Sequence, residues 1–194
     1  MGQYTDVPED NLLGLLTNQA INEAEALGVA RAELWLTELD YPLEITVPFI
    51  RALHRTAFQH LYGWAGHWRT STPNVGAYVP PAPSKIPQLM YEFEDDLRFR
   101  LANTPAANVA EVAHLLAFAH HRLVFIHPFS NGNGRTARLL TNALAYQPGY
   151  AEVVLYQRQA GDSRKHYLQA IKSADAHGLQ ELEHLLARQL VPLT

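Results

Sequence analysis

A mainly α-helical fold is predicted by three observations. Apolar residues recur at three- and four-residue spacing through successive segments, capping residues precede several of them, and Pro and Gly gather in the connections. One irregular stretch, 70–87, is rich in proline and carries only short apolar pieces, which reads as a loop or small β-hairpin.

In chain order, Asn18 to Leu39 is rich in Ala, Glu and Leu, with Ile21, Ala24, Leu27, Leu34 and Trp35 at helical spacing. One long helix or a helical hairpin is expected there. Tyr41-Pro42 breaks it. Thr46 can cap the next helix, Pro48 is tolerated in its first turn, and Phe49, Leu53, Ala57 and Leu61 line one stripe toward Tyr62. A helix from about Ile86 to Leu101 turns Leu89, Phe93 and Leu97 inward. Asn108-Val109-Ala110-Glu111 opens a capping box, and Val112, Leu116, Ala119, Leu123 and Ile126 carry an apolar stripe along a central buried helix. Leu139, Leu140, Ala143 and Leu144 continue the following helix until Pro148-Gly149. Asp162 can cap a further helix through His177, Gly178 can close it, and Leu179 to Leu190 makes the last one. Val153 to Tyr156 is a candidate short strand. The expected organisation is an N-terminal helical extension, 1–45, packed on a single compact body, 46–194.

Composition narrows the function. The net charge is −4, arginine outnumbers lysine, and no basic run advertises a nucleic-acid partner. No apolar run approaches membrane-spanning length and the start lacks a secretory stretch, so a membrane partner is not expected. Without cysteine there is neither a disulfide framework nor a thiolate metal site, which fits a cytoplasmic protein.

The chemistry concentrates in His127-Pro128-Phe129-Ser130-Asn131-Gly132-Asn133-Gly134-Arg135-Thr136-Ala137-Arg138, between two helical segments. A glycine-rich loop that runs into a helix N-terminus presents free backbone N–H groups and the positive end of the dipole, the arrangement that favours phosphate. Gly132 and Gly134 are expected to turn with positive φ and let the backbone approach an anion. Arg135 and Arg138 lie three residues apart and share a helix face, placed for two adjacent phosphates. His127 is pushed out of helical geometry by Pro128, at the lip of the loop, and can take a proton near neutral pH. His114, His121 and His127 recur near helical spacing and His120 adjoins, but no HExxH motif or thiolate supports a zinc site. Trp64, Trp68, Tyr78 and Tyr91 lack interleaved basic residues and read as core and loop supports rather than a base-stacking platform.

This stretch resembles the Fic (Fic/Doc) family, whose motif reads HxFx(D/E)GNGRxxR; Asn131 is the one departure. A second match is Tyr62-Gly63-Trp64-Ala65-Gly66-His67-Trp68-Arg69 followed by Asn74-Val75-Gly76, where the family carries W-A-G-x-[YFW]-R before its target-docking flap. The likeness runs from about Pro48 to Leu190, and the N-terminal arrangement is similar to the subgroup called mobile mystery protein B. It implies a Fic fold: a helical bundle with the motif loop between two central helices and a small β-hairpin flap.

The resemblance also implies a nucleotidyltransferase. ATP would be the substrate, AMP would pass to a Tyr, Thr or Ser hydroxyl of a target protein (AMPylation), and pyrophosphate would leave. His127 would be the base and Phe129 the anchor of the loop. Asn131, Gly132, Asn133 and Gly134 would cradle the phosphates, Arg135 and Arg138 would hold the β and γ groups, and Tyr167 would face the adenine. Tyr78, Val79 and Pro80 would dock the target. Mg²⁺ or Mn²⁺ would be held through residue 131, where an amide oxygen attracts a hard dication less than a carboxylate does. Asn131 therefore opens alternatives: slower adenylylation, transfer of another nucleotide or phosphoryl group, or a silent module that binds a nucleotide or partner. The intact GNG and Arg135 favour the usual nucleotide placement over the Doc-type one. The family also implies a toxin–antitoxin-like setting with an antitoxin partner. Some members carry an inhibitory (S/T)xxxE(G/N) helix whose glutamate pairs with the second motif arginine. No full copy exists here; Glu9, within Thr5 to Asp10, and Glu23 or Glu25 are the candidates.

Overall fold

In the computed structural model the described residues are 11–73, 75–76, 78–155 and 161–193. Seven α-helices are assigned among them: α1 Asn18–Thr37, α2 Val47–Phe58, α3 Ile86–Asn103, α4 Val109–Ile126, α5 Asn133–Tyr146, α6 Asp162–His177 and α7 Gln180–Ala187. The caps explain the starts. Thr17 and Thr46 accept from the amides of Ala20 and Phe49, and Asn108 accepts from the Glu111 amide while donating to its carboxylate at 2.7 Å. The start of α6 differs from expectation: Gly161 is the cap, and Asp162 lies in the first turn, bonded to Lys165.

The central helix is α4, which packs on α5, α3 and α7. Its 18 residues are long and apolar enough to cross a membrane by length and composition, which corrects the expectation that no run reaches that length. Here Val112, Leu116, Ala119, Leu123 and Ile126 face the protein core instead.

α1 lies against α2 and reaches α5. Its buried face is Ile21, Glu25, Gly28, Ala32 and Leu36, whereas Leu27 and Leu34, expected inside, are each 61% exposed. The cause is Gly28: a Cβ there would sit 1.9 Å from the Ala57 carbonyl oxygen and 2.4 Å from His60 Cε1, so only glycine lets the two helices cross this closely. That crossing turns Glu25, a charged residue only 2% exposed, toward α5.

No strand is assigned among the described residues. The expected flap hairpin is represented by one antiparallel bridge, Val75 to Tyr78. Val153 to Leu155 pairs with no strand, and the Val153 amide donates instead to Asn142 Oδ1. Thr5 to Asp10, Asn74, Ala77 and Tyr156 lie outside the described residues.

Candidate active site

The site forms where α4 ends and α5 begins. His127 adopts the left-handed conformation, φ 52 and ψ 55, and its amide donates to the Leu123 carbonyl. Its Nδ1 lies 3.1 Å from the Val124 carbonyl oxygen, which can only accept, so Nδ1 carries the proton and Nε2 keeps its lone pair. Burial pushes its pKa below the ordinary histidine value; the Val124 bond opposes that shift and the Arg69 charge adds to it. The ring is therefore neutral at neutral pH, and among the described residues its Nε2 has no bonded partner.

The loop is anchored from below. Phe129 is fully buried, and the His54 ring stacks on it at 3.8 Å between centroids. His54 receives the Gly66 amide on Nδ1 and donates from Nε2 to the Asn131 carbonyl at 3.0 Å. Burial pushes its pKa down to about 3, against the pull of the Asn131 bond, so this neutral ring ties the W-A-G segment to the motif loop. Trp68 packs on Phe129 and Trp64 on Tyr62, both as supports, while Tyr91 is exposed.

The glycines divide. Gly132 caps α5 with φ 76, and a Cβ there would lie 2.6 Å from the Phe58 ring. Gly134, expected to share the positive φ, does not have it. A Cβ at Gly134 would meet nothing nearer than Arg138 Nη1 at 3.9 Å, so a side chain there would be uncrowded. By helix geometry the amides of Asn133, Gly134 and Arg135 have no carbonyl a turn behind them. The Asn133 side chain does not join this cradle: both its amide atoms bond the Phe129 backbone at 2.8 Å, which shapes the loop.

Arg135 and Arg138 both lie on the first turns of α5. Arg135 Nη1 is 2.6 Å from Glu25 Oε2, and its Nη2 donates to Glu25 Oε1 at 3.0 Å, with the guanidinium 4.7 Å over the Phe58 ring. Glu25 also accepts from the Tyr62 hydroxyl and, at 3.4 Å, from Asn131 Nδ2. Asn131 Oδ1 in turn accepts the Gly132 amide and Arg135 Nη2. Of the candidate inhibitory acids among the described residues, Glu25 is the one that reaches the motif, and it takes the first arginine rather than the second. Glu23 accepts from Gln19 and is exposed, and Glu9 lies outside the described residues. Arg138 is half-buried. Its charge opposes the upward push that burial gives the Glu33 carboxyl.

Tyr167 is placed differently from expectation. It is 4% exposed, and its hydroxyl lies 2.8 Å from Nε2 of the buried His120, whose Nδ1 meets Thr141. A side chain so enclosed belongs to the core under α6 and has no open face for an adenine. His114 pairs with Glu183 and His121 with Asp175, so the four histidines of the α4 stripe each meet different partners. In the flap, the Tyr78 hydroxyl donates to the Phe125 carbonyl at 2.6 Å and Pro80 is buried, which leaves Val79, 79% exposed, as the residue presented outward.

Sequence reasoning missed His54 and quoted Arg69 without assigning it a task. The signal for Arg69 was its place in the W-A-G segment. For His54 there was none, because its partners are backbone groups far along the chain.

Fold and site together define an α-helical protein in which a histidine closes one central helix and a glycine-capped loop leads from it into the next. The model of the Fic/DOC family matches residues 44–145, and the chain belongs to that family. It is 34% identical over 165 residues to the protein adenylyltransferase Fic of Drosophila willistoni, an alignment covering 84% of this chain and 31% of that protein. The chain thus spans about a third of the length of the curated relatives it matches. Its fold is similar to BepC of Bartonella tribocorum with bound AMPPNP, with TM-score 0.82, 18% identity and coverage of 100% of this chain and 97% of that one. It is likewise similar to Fic-1 (residues 134–508) of C. elegans, with TM-score 0.73, 25% identity and coverage of 92% and 52%.

Proposed function

We propose that this protein is a protein adenylyltransferase that moves AMP from ATP to a hydroxyl side chain of a target protein. The observation that carries the reading is the Nδ1–H bond of His127 to Val124, which leaves a basic Nε2 at the start of the loop that runs into α5.

In this reading the target hydroxyl lies against Nε2, which takes its proton as the oxygen bonds the α-phosphorus. The bond from that phosphorus to the bridging oxygen breaks, and pyrophosphate leaves. The amides of Asn133, Gly134 and Arg135, the helix dipole, and Arg135 and Arg138 offset the charge of the leaving group. An extended piece of the target lies along the flap at Val79, so that main-chain contacts hold its hydroxyl in line. The relatives named as adenylyltransferases and the neighbour with bound AMPPNP support this assignment. The cysteine-free composition suits a cytoplasmic setting, and a toxin-like enzyme with an antitoxin partner is part of the same reading.

The expected Mg²⁺ or Mn²⁺ does not fit the donors present. Asn131 Oδ1 is neutral and already accepts two donors, and the neighbouring carboxylate of Glu25 is tied to Arg135.

The Glu25–Arg135 pair favours one second reading, a silent module. A nucleotide that uses Arg135 must first displace a buried carboxylate, and where it fails to do so, binding and transfer stop. ATP labelled at the α- or the γ-phosphate, incubated with wild type and His127→Ala, separates these readings. Retained α-label that is lost in His127→Ala supports adenylylation. Retained γ-label means phosphoryl transfer, and no label with either means the silent module.

A further inference from the structure

We propose that Arg69 is the positioning residue for His127, joining the roots of the flap and the last turn of α4 into one unit; this rests on His127 being the base.

A helix C-terminus leaves carbonyls with no amide a turn ahead, and glycine usually closes it. α4 has no such glycine. Its carbonyls are met by other groups: the His127 amide on Leu123, His127 Nδ1 on Val124, and the Tyr78 hydroxyl on Phe125. Arg69 takes the rest. Its Nε donates to the His127 carbonyl at 2.6 Å, its Nη2 lies 3.5 Å from that of Ile126, and its amide donates to Pro128 at 3.0 Å. The same guanidinium donates to the carbonyls of Ser71 at 2.9 Å and Pro81 at 2.6 Å, the two points between which the flap runs. Arg69 is only 2% exposed and makes no ion pair among the described residues. Carbonyl dipoles and the negative end of α4 compensate its charge.

Two consequences reach the base. A non-glycine residue in the left-handed region is disfavoured because its Cβ crowds the following carbonyl oxygen, and the bond to the His127 carbonyl holds that conformation, which aims the imidazole. A buried positive charge beside the ring also disfavours a second one. The other charges at this end of α4, Arg122 on the helix and Asp175 on α6, act on the Tyr78 hydroxyl; Arg69 is the charge that acts on His127. Displacing the flap would pull on Arg69 and so on the base, which gives target docking a route to the proton acceptor.

The test is an NMR titration of histidine-labelled protein, with His127 assigned by the signal that vanishes in His127→Ala. Arg69→Met, which drops both charge and fork, is expected to raise the His127 midpoint by about 0.5–1 pH unit. Arg69→Lys keeps the charge without the fork, so its midpoint stays near wild type while the His127 amide exchanges faster. An unchanged midpoint in Arg69→Met overturns the proposal. Should that variant fail to fold, unchanged amide exchange in Arg69→Lys overturns it equally. The titration needs neither nucleotide nor target, so its outcome is separate from whether the protein transfers AMP.

Discussion

Gly132 and Gly134 look alike in sequence, yet the structure predicts opposite fates for their alanine variants. At Gly132 an added methyl meets two penalties. The left-handed backbone, φ 76, costs an L-residue about 1–2 kcal/mol. The Cβ would also fall 2.6 Å from Phe58 Cε2 and 2.8 Å from Cζ, and overpacking a filled core costs roughly 1–3 kcal/mol. Gly132→Ala should therefore lose about 2–5 kcal/mol in urea unfolding. Gly134→Ala has neither penalty, since its nearest neighbour would be Arg138 Nη1 at 3.9 Å, and alanine is the better helix former by up to about 1 kcal/mol. It should match or exceed wild-type stability. Its methyl would stand in the first turn of α5, 3.9 Å from Arg138 Nη1, and crowd a phosphate seated there, so ADP affinity measured by calorimetry should fall by at least about tenfold, ~1.4 kcal/mol. Equal destabilisation of both variants, or full ADP affinity in Gly134→Ala, would refute the division into a structural and a cradle glycine.

Three further outcomes follow from the same geometry. Gly28→Ala should destabilise by several kcal/mol, against its helix propensity, because the methyl meets the Ala57 carbonyl; a stability gain in thermal unfolding would show that α1 can move off α2 freely. Glu25→Gln keeps the shape but removes the charge that holds Arg135, so ADP should bind more tightly while the folded state weakens; weaker ADP binding would mean that Glu25 organises Arg135 for the ligand instead. His120 is buried neutral with a pKa of about 3, while in the unfolded chain it titrates near the ordinary 6.5. The unfolded state thus binds the extra proton, and stability falls as pH drops through 6.5 toward 3, by ~1.4 kcal/mol per pH unit. His120→Gln should flatten the slope of unfolding free energy against pH by about one proton, and an unchanged slope contradicts the assignment.

Most of the helical framework could be read from the sequence because spacing and caps are local. Thr17, Thr46 and Asn108 act within one turn of themselves, and the stripe along α4 is continuous. The motif loop was legible for the same reason, since its base, glycines and arginines are neighbours in the chain. What escaped depends on contacts across it. Leu27 and Leu34 fit a helical stripe as well as Glu25 and Gly28 do, and only the close crossing on Ala57 decides which face turns inward. Tyr167 carries a polar tip suited to a ligand, but that tip meets His120, 47 residues away. Arg69 and His54 bind backbone carbonyls and amides, which every residue possesses, so no pattern of side chains could announce their partners.

The measurement that tests the account most directly is the amide ¹H–¹⁵N spectrum of the protein titrated with ADP. If phosphates seat on the N-terminus of α5, the amides of Asn133, Gly134 and Arg135 shift most, and the response survives in His127→Ala. Saturation with ADP that leaves those three signals in place while others move would put the nucleotide elsewhere and contradict the account.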